Sequence, residues 1–325
     1  MTVETPTPPA GDKGFDQGVD QTDPGDLTAD IDTAWDFSDP AGTEARFRAM
    51  LARTEDSEDP AVQARQREVR TQLARSLGLQ KKFDVAHAEL DAVDKFLSTQ
   101  RDAPEKHATL RVRSQLERGR LMNTAGEAKE EAADLFRGAF DMAQSAGLTG
   151  YAVDAAHMVA IVGQGTPAEL EWNTKALGIA ENSDDPKARK WLGSLYNNVG
   201  WAHHDRGDFE TALTYFDKAL TERKTAGKEP ALRVAWWTRA RCLRSLERYE
   251  EALGEQQTIL KLYPDDARKD GFVHEEIGEL MLALGKPDAA KESFAVAYPL
   301  LRESWVAEAE PERLARIGKL AGMTK

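Results

Sequence analysis

The chain has 325 residues, 41% of them hydrophobic and 30% charged, with a formal net charge of -13. That is enough apolar material for a packed interior, while a field of this sign repels nucleic-acid phosphates and anionic membrane surfaces. The lone cysteine, Cys242, excludes an internal disulfide, and with no CxxC or Cys/His cluster around it a structural zinc site is unsupported.

Residues 1–42 are rich in Pro, Gly, Thr and Asp, with ten acids against a single base, Lys13. Too few apolar side chains are present to offset the entropy of folding, so this stretch is predicted to be a disordered acidic tail. It lacks the basic start and apolar run of a secretion signal, and no stretch approaches a membrane span, so a cytoplasmic location is expected. Ile31, Trp35 and Phe37 form an amphipathic patch that either packs on the first helix or offers a partner a short recognition motif.

From Thr43 onward apolar residues recur at three and four positions, and no β-branched alternation appears, so residues 43–310 read as all-α. Asp59-Pro60, Asp102-Ala103-Pro104-Glu105, Thr166-Pro167-Ala168-Glu169 and Asp185-Pro186 place a side-chain acceptor before a proline, and the middle two add the glutamate of a capping box. Each marks the start of a helix.

Self-similarity then sets the architecture. The pairs Gly200/Ala212, Ala240/Ala252 and Gly278/Ala290 each put a small residue on one helix and an alanine on the next, twelve positions on. Small residues at these places let two antiparallel helices approach closely, and Phe209 or Tyr249 plugs the turn between them. The clearest copies span 193–226, 233–266 and 271–304. Weaker ones precede them, carrying Ala74, Phe83 and Ala86, then Gly119, Ala132 and Phe136, then Ala156 and Ala176. Residues 311–325, with Leu314, Ile317 and Leu320 on one face, form a C-terminal capping helix.

On Gly200, Gly207, Phe209, Ala212, Phe216 and Ala219 the chain resembles the tetratricopeptide repeat (TPR) family. Equivalent alanines recur after 40 and 38 residues, Ala212 to Ala252 to Ala290, which is longer than the usual period of about 34. In that respect the stretch is similar to the repeats of kinesin light chains and related bacterial proteins. The resemblance implies a right-handed superhelical solenoid of antiparallel helix pairs, whose first helices line a concave face that takes a partner peptide or helix. It places Asn197, Asn198, Trp201, His204, Trp237, Arg241 and Arg244 in that groove. Asparagine amides would bond to a peptide backbone, aromatic rings would supply contact area, and arginines would grip carboxylates.

Plainer roles stand beside these. Trp236 fills the interhelical core; Arg241 and Arg244 pair with Glu275 and Glu279 of the next repeat; Arg75, Arg113 and Arg120 extend a basic strip along the earlier repeats. His203 and His204 are adjacent and point about 100° apart on a helix, so they do not chelate one ion. No GxSxG, Walker or HExxH motif is present, and paired carboxylates fall at helix starts and turns. The expectation is a non-catalytic scaffold or adaptor, with no cofactor, metal, nucleic acid or membrane partner, and with self-association through an end repeat open. The alternative is a peptide-sensing regulator similar to the phosphatases and transcription regulators that carry such repeats, although an acidic tail and one short helical stretch, 43–53, stand where their effector domains do.

Overall fold

The computed structural model describes residues 31–100, 104–126, 128–227 and 229–323, and every regular element among them is helical. The chain divides into two units, residues 1–191 and 192–325. The first contains α1 (Pro40–Ala52), α2 (Pro60–Leu79), α3 (Phe83–Thr99), α4 (Ala108–Ala125), α5 (Lys129–Ser145), α6 (Thr149–Val162), α7 (Pro167–Glu181) and the single turn α8 (Pro186–Arg189). The second contains α9 (Leu192–His204), α10 (Phe209–Ala226), α11 (Glu229–Ser245), α12 (Tyr249–Leu262), the turn α13 (Pro264–Ala267), α14 (Gly271–Ala283), α15 (Pro287–Arg302), the turn α16 (Val306–Ala309) and α17 (Pro311–Ala321).

The start signals act as expected where they are described. Asp59 Oδ1 accepts from the Ala61 N–H at 2.8 Å, Thr166 Oγ1 from Ala168 at 3.3 Å, and Asp185 Oδ1 from Lys187 at 2.8 Å, each beside a proline at the first helical position. The glutamate of the 166–169 box reaches back to the Gly165 N–H at 2.8 Å. At the other box, Asp102 and Ala103 lie outside the described residues, and Pro104–His107 is a 3-10 turn ahead of α4.

Helix pairs α2–α3, α4–α5 and α6–α7 stack in the first unit, and α9–α10, α11–α12 and α14–α15 in the second, with α17 against α15. The close approach within a pair has a visible cause. A Cβ at Gly200 would sit 2.6 Å from Phe216, one at Gly278 2.8 Å from Phe294, and one at Gly119 2.7 Å from Phe136, so each ring packs directly against a glycine. Seven residues after those glycines the chain turns through left-handed φ at Gly126, Gly207 and Gly285, where a side chain would be strained.

The expected tail needs one correction. Residues 1–30 lie outside the described residues, but 31–42 are folded: Ile31–Ala34 is a 3-10 turn and α1 starts at Pro40. The short amphipathic patch there supplies the reason. Ile31 and Trp35 are buried in the core with Phe47, Met50, Leu73 and Leu77. Trp35 stacks on Phe37 at 4.7 Å, meets Phe47 edge-on, and donates its Nε1–H to Gln72 Oε1 at 3.0 Å. These are packing contacts of the first helix.

Candidate functional site

The first helices of the pairs in the second unit, α9, α11 and α14, and the capping helix α17 meet through their side chains, and all the expected groove residues sit on α9 and α11. His204 on α9 bonds through Nε2 to Ser245 Oγ on α11 at 2.9 Å. Trp201 and Trp237 lie 6.2 Å apart across the same junction. Trp237 then donates Nε1–H to the Phe272 carbonyl of α14 at 3.1 Å.

Two expected contact residues fall out of the surface. Trp201 is 4% exposed and packs edge-on against Phe216, and His204 is 3% exposed beside Phe209. Their places on the first helix turn toward the second helix of the same pair, where ring burial outweighs access to solvent. Asn197, Asn198, Trp237, Arg241 and Arg244 stay partly accessible. Trp236 is part of the cluster around Ile259 and Ala267, under the Lys224 ammonium at 4.4 Å.

The arginines do pair with the next repeat, but through a different acid. Arg244 holds Glu276 by two hydrogen bonds, 2.6 and 3.1 Å. Glu275 and Glu279 turn the other way, toward α17: Arg313 grips Glu275 at 2.7 and 2.6 Å, and Arg316 grips Glu279. Burial lifts the Glu275 carboxyl above its ordinary range even with Arg313 upon it. Glu276 stands two positions before the glycine of its repeat, the same place as Asn198, but also as the buried Thr238, so register alone does not single it out. Arg313 and Arg316 carry no signal either, because only the apolar face of the capping helix shows a periodicity.

Arg241 is the exception on this surface. Its Nε is 3.8 Å from Glu276 Oε2, a carboxylate already committed to Arg244, and its Nη1 reaches only the Ser245 hydroxyl at 3.4 Å. Its side chain is 16% exposed. Burial and the adjacent Arg244 push its pKa below the usual guanidinium range, against the opposing pull of Glu276, Glu275 and Glu279.

In the first unit the expected basic strip is a mixed network. Arg120 donates to Glu117 at 2.7 Å and to Asp154 on α6. Arg113 donates to the Tyr151 hydroxyl at 2.6 Å, and Arg75 lies over Trp35 and Phe37 with Glu117 at 3.9 Å. Burial opposes ionisation of Asp154, but Arg120 and Arg75 hold its carboxyl below the usual range. Bases and acids alternate across α2, α4 and α6, so the face presents no uniform positive field.

Other chemistry is sparse. His203 stacks on Tyr215 and pairs with the cap residue Asp208 at 3.1 Å. Cys242 is buried, its thiol donating to the Phe209 carbonyl at 3.3 Å. Among the described residues no group of three His, Cys, Asp or Glu side chains is arranged to hold an ion, and no helix is long and apolar enough to cross a membrane.

Residues 192–226 match the tetratricopeptide repeat family profile. No curated protein sequence matches the chain. Among known structures the chain is similar to RapI in its apo form, with 13% identity, 91% of this chain and 79% of that chain covered, and a TM-score of 0.67. It also matches NprR in complex with its cognate peptide NprX, with 15% identity, 86% and 84% covered and a TM-score of 0.49. A tetratricopeptide repeat protein from Parabacteroides merdae matches with 15% identity, 90% and 97% covered and a TM-score of 0.47. At 13% identity the likeness to RapI establishes the fold: an all-α array of TPR-type helix pairs.

Proposed function

We propose that this tetratricopeptide-repeat chain is a non-catalytic interaction module of the cytoplasm that holds an extended segment of another protein along the first helices of its second unit. Asn197, Asn198, Trp237, Arg241 and Arg244 are the contact residues. The observation that carries this is Arg241. A partly buried guanidinium with one long, shared carboxylate contact gains far more from an incoming carboxylate than its ion-paired neighbours Arg244, Arg313 and Arg316 do. The partner therefore presents an acidic side chain or a chain terminus at α11. Asn197 and Asn198 on α9, both half-buried, would meet its backbone amides.

Replacing Arg241 with Gln tests this. Affinity capture from an extract of the source cells, followed by mass spectrometry, is expected to recover a stoichiometric partner with the native chain and to lose it with Arg241→Gln at unchanged helicity. A partner retained equally by both proteins would overturn the assignment of the surface.

A further inference from the structure

We infer that the α11–α12 pair is a built-in compliant element: α12 opens locally ahead of the pairs on either side of it. Three positions carry this, each in strict register with its neighbours. The aromatic-on-glycine contact of Gly200/Phe216 and Gly278/Phe294 is replaced by Ala240/Gln256, sixteen residues apart in all three pairs. Gln256 is wholly buried, and neither its amide nitrogen nor its oxygen has a hydrogen-bond partner. The turn that uses Gly207 at φ 79° and Gly285 at φ 70° is made here by Glu247 at φ 60°, a left-handed conformation that penalises any side chain.

The imbalance extends further. Trp236 Nε1 on α11 is also buried without a partner, and so is one oxygen of Glu255, whose other oxygen pairs with Arg239. Buried polar groups left unpaired lose their hydration and gain nothing in return, so opening α12 to water relieves them. Like α15 the helix has no side-chain cap at its start, whereas α10 has Asp208 accepting from Thr211. Meanwhile α11 is fastened on its other face by His204–Ser245, Trp237–Phe272 and Arg244–Glu276. The left-handed Glu247 and the unpaired Gln256 amide thus both bear on α12, which the Arg239–Glu255 ion pair ties to α11, while three further bonds fasten α11 to its neighbours. The surface bearing Arg241 accordingly rests against a yielding layer, whatever binds there.

Hydrogen exchange of the full-length protein, read helix by helix by mass spectrometry, tests this. The amides of α12 are expected to exchange at least tenfold faster than those of α10 and α15. In the variant Ala240→Gly, Gln256→Phe, Glu247→Gly they are expected to slow to the rate of α10. Should that variant fail to fold, Glu247→Gly alone is expected to slow α12 by roughly threefold or more, since it removes only the strained turn. Equal protection of α10, α12 and α15 in the native protein, or an unchanged α12 rate in a folded variant, would overturn the inference.

Discussion

Gly200→Ala and Gly254→Ala are the same chemical change in helices of the same unit, and their effects should carry opposite signs. Alanine is favoured over glycine inside a helix by about 1 kcal/mol, because it restricts the unfolded chain. Gly254 on α12 is exposed and has nothing within 4 Å of an added Cβ, so Gly254→Ala should realise that gain. At Gly200 the new methyl would stand 2.6, 2.8 and 3.1 Å from three carbons of the Phe216 ring, which has 0% exposure and no room to retreat. Overpacking a core costs roughly 1–3 kcal/mol, and a clash this close against a rigid ring belongs at the upper end. The net for Gly200→Ala is then a loss of about 2 kcal/mol, or a fall in melting temperature of roughly 6 °C or more, against a rise of about 3 °C for Gly254→Ala. Thermal unfolding followed by circular dichroism, with urea titration as a second measure, reads both. Adding Phe216→Leu to Gly200→Ala should recover part of the loss, giving a favourable coupling in the double-mutant cycle. If Gly200→Ala stabilised the protein as Gly254→Ala does, helix propensity would outweigh packing at this position and ring-on-glycine contact would not be what draws the helices together.

The acid limb of the stability curve should depend on Glu44. Burial opposes its ionisation, but hydrogen bonds from Lys82, Arg48 and Gln80 bring its pKa down from 4.5 to about 2. A carboxyl lowered in the folded state stabilises fully above its unfolded value and loses that contribution as pH falls from about 4.5 toward 2. Urea midpoints measured between pH 6 and pH 3 should therefore converge for the native chain and Glu44→Gln, with a gap of about 1 kcal/mol at the upper end given the solvent screening of such pairs. Trp35→Ala should cost about 3–5 kcal/mol, since it empties a buried site and leaves Gln72 without its indole donor. A urea titration showing no loss would mean that residues 31–37 are not part of the folded unit. Cys242, whose thiol is pushed by burial up to about 12, should resist a thiol-specific chromogenic reagent in the native protein and react at once in urea.

How far the fold was legible can be followed residue by residue. Gly200, Phe216, Gly278 and Phe294 recur at one spacing because a ring needs a bare backbone beneath it, so the repeat could be read directly. Asp59, Thr166 and Asp185 announced helix starts because capping is local chemistry between residues two apart. The candidate surface was legible only in part. Trp201 and Trp237 both sit on the first helix of a repeat among polar neighbours, and only packing places the former in the core and leaves the latter at its edge. Trp35 lies in a stretch that reads as an acidic tail because composition averages over a window, whereas one indole donating to Gln72 and stacked on Phe37 anchors the segment around it.

Helix content, the pairing of helices, the turn glycines and the net acidity follow from the order of residues alone, because each depends on neighbours within a few turns of chain. Which carboxylate meets which guanidinium does not. Glu275, Glu276 and Glu279 lie within five residues, yet the middle one faces Arg244 on α11 and the outer two face Arg313 and Arg316 on α17. That division is set by the rotation of α14 about its own axis, and the rotation is fixed by the packing of Gly278 under Phe294 and of Leu280 in the core. The same rotation leaves Arg241 sharing Glu276 with Arg244 at the longer distance of 3.8 Å, so the feature on which the proposed function rests exists only in three dimensions.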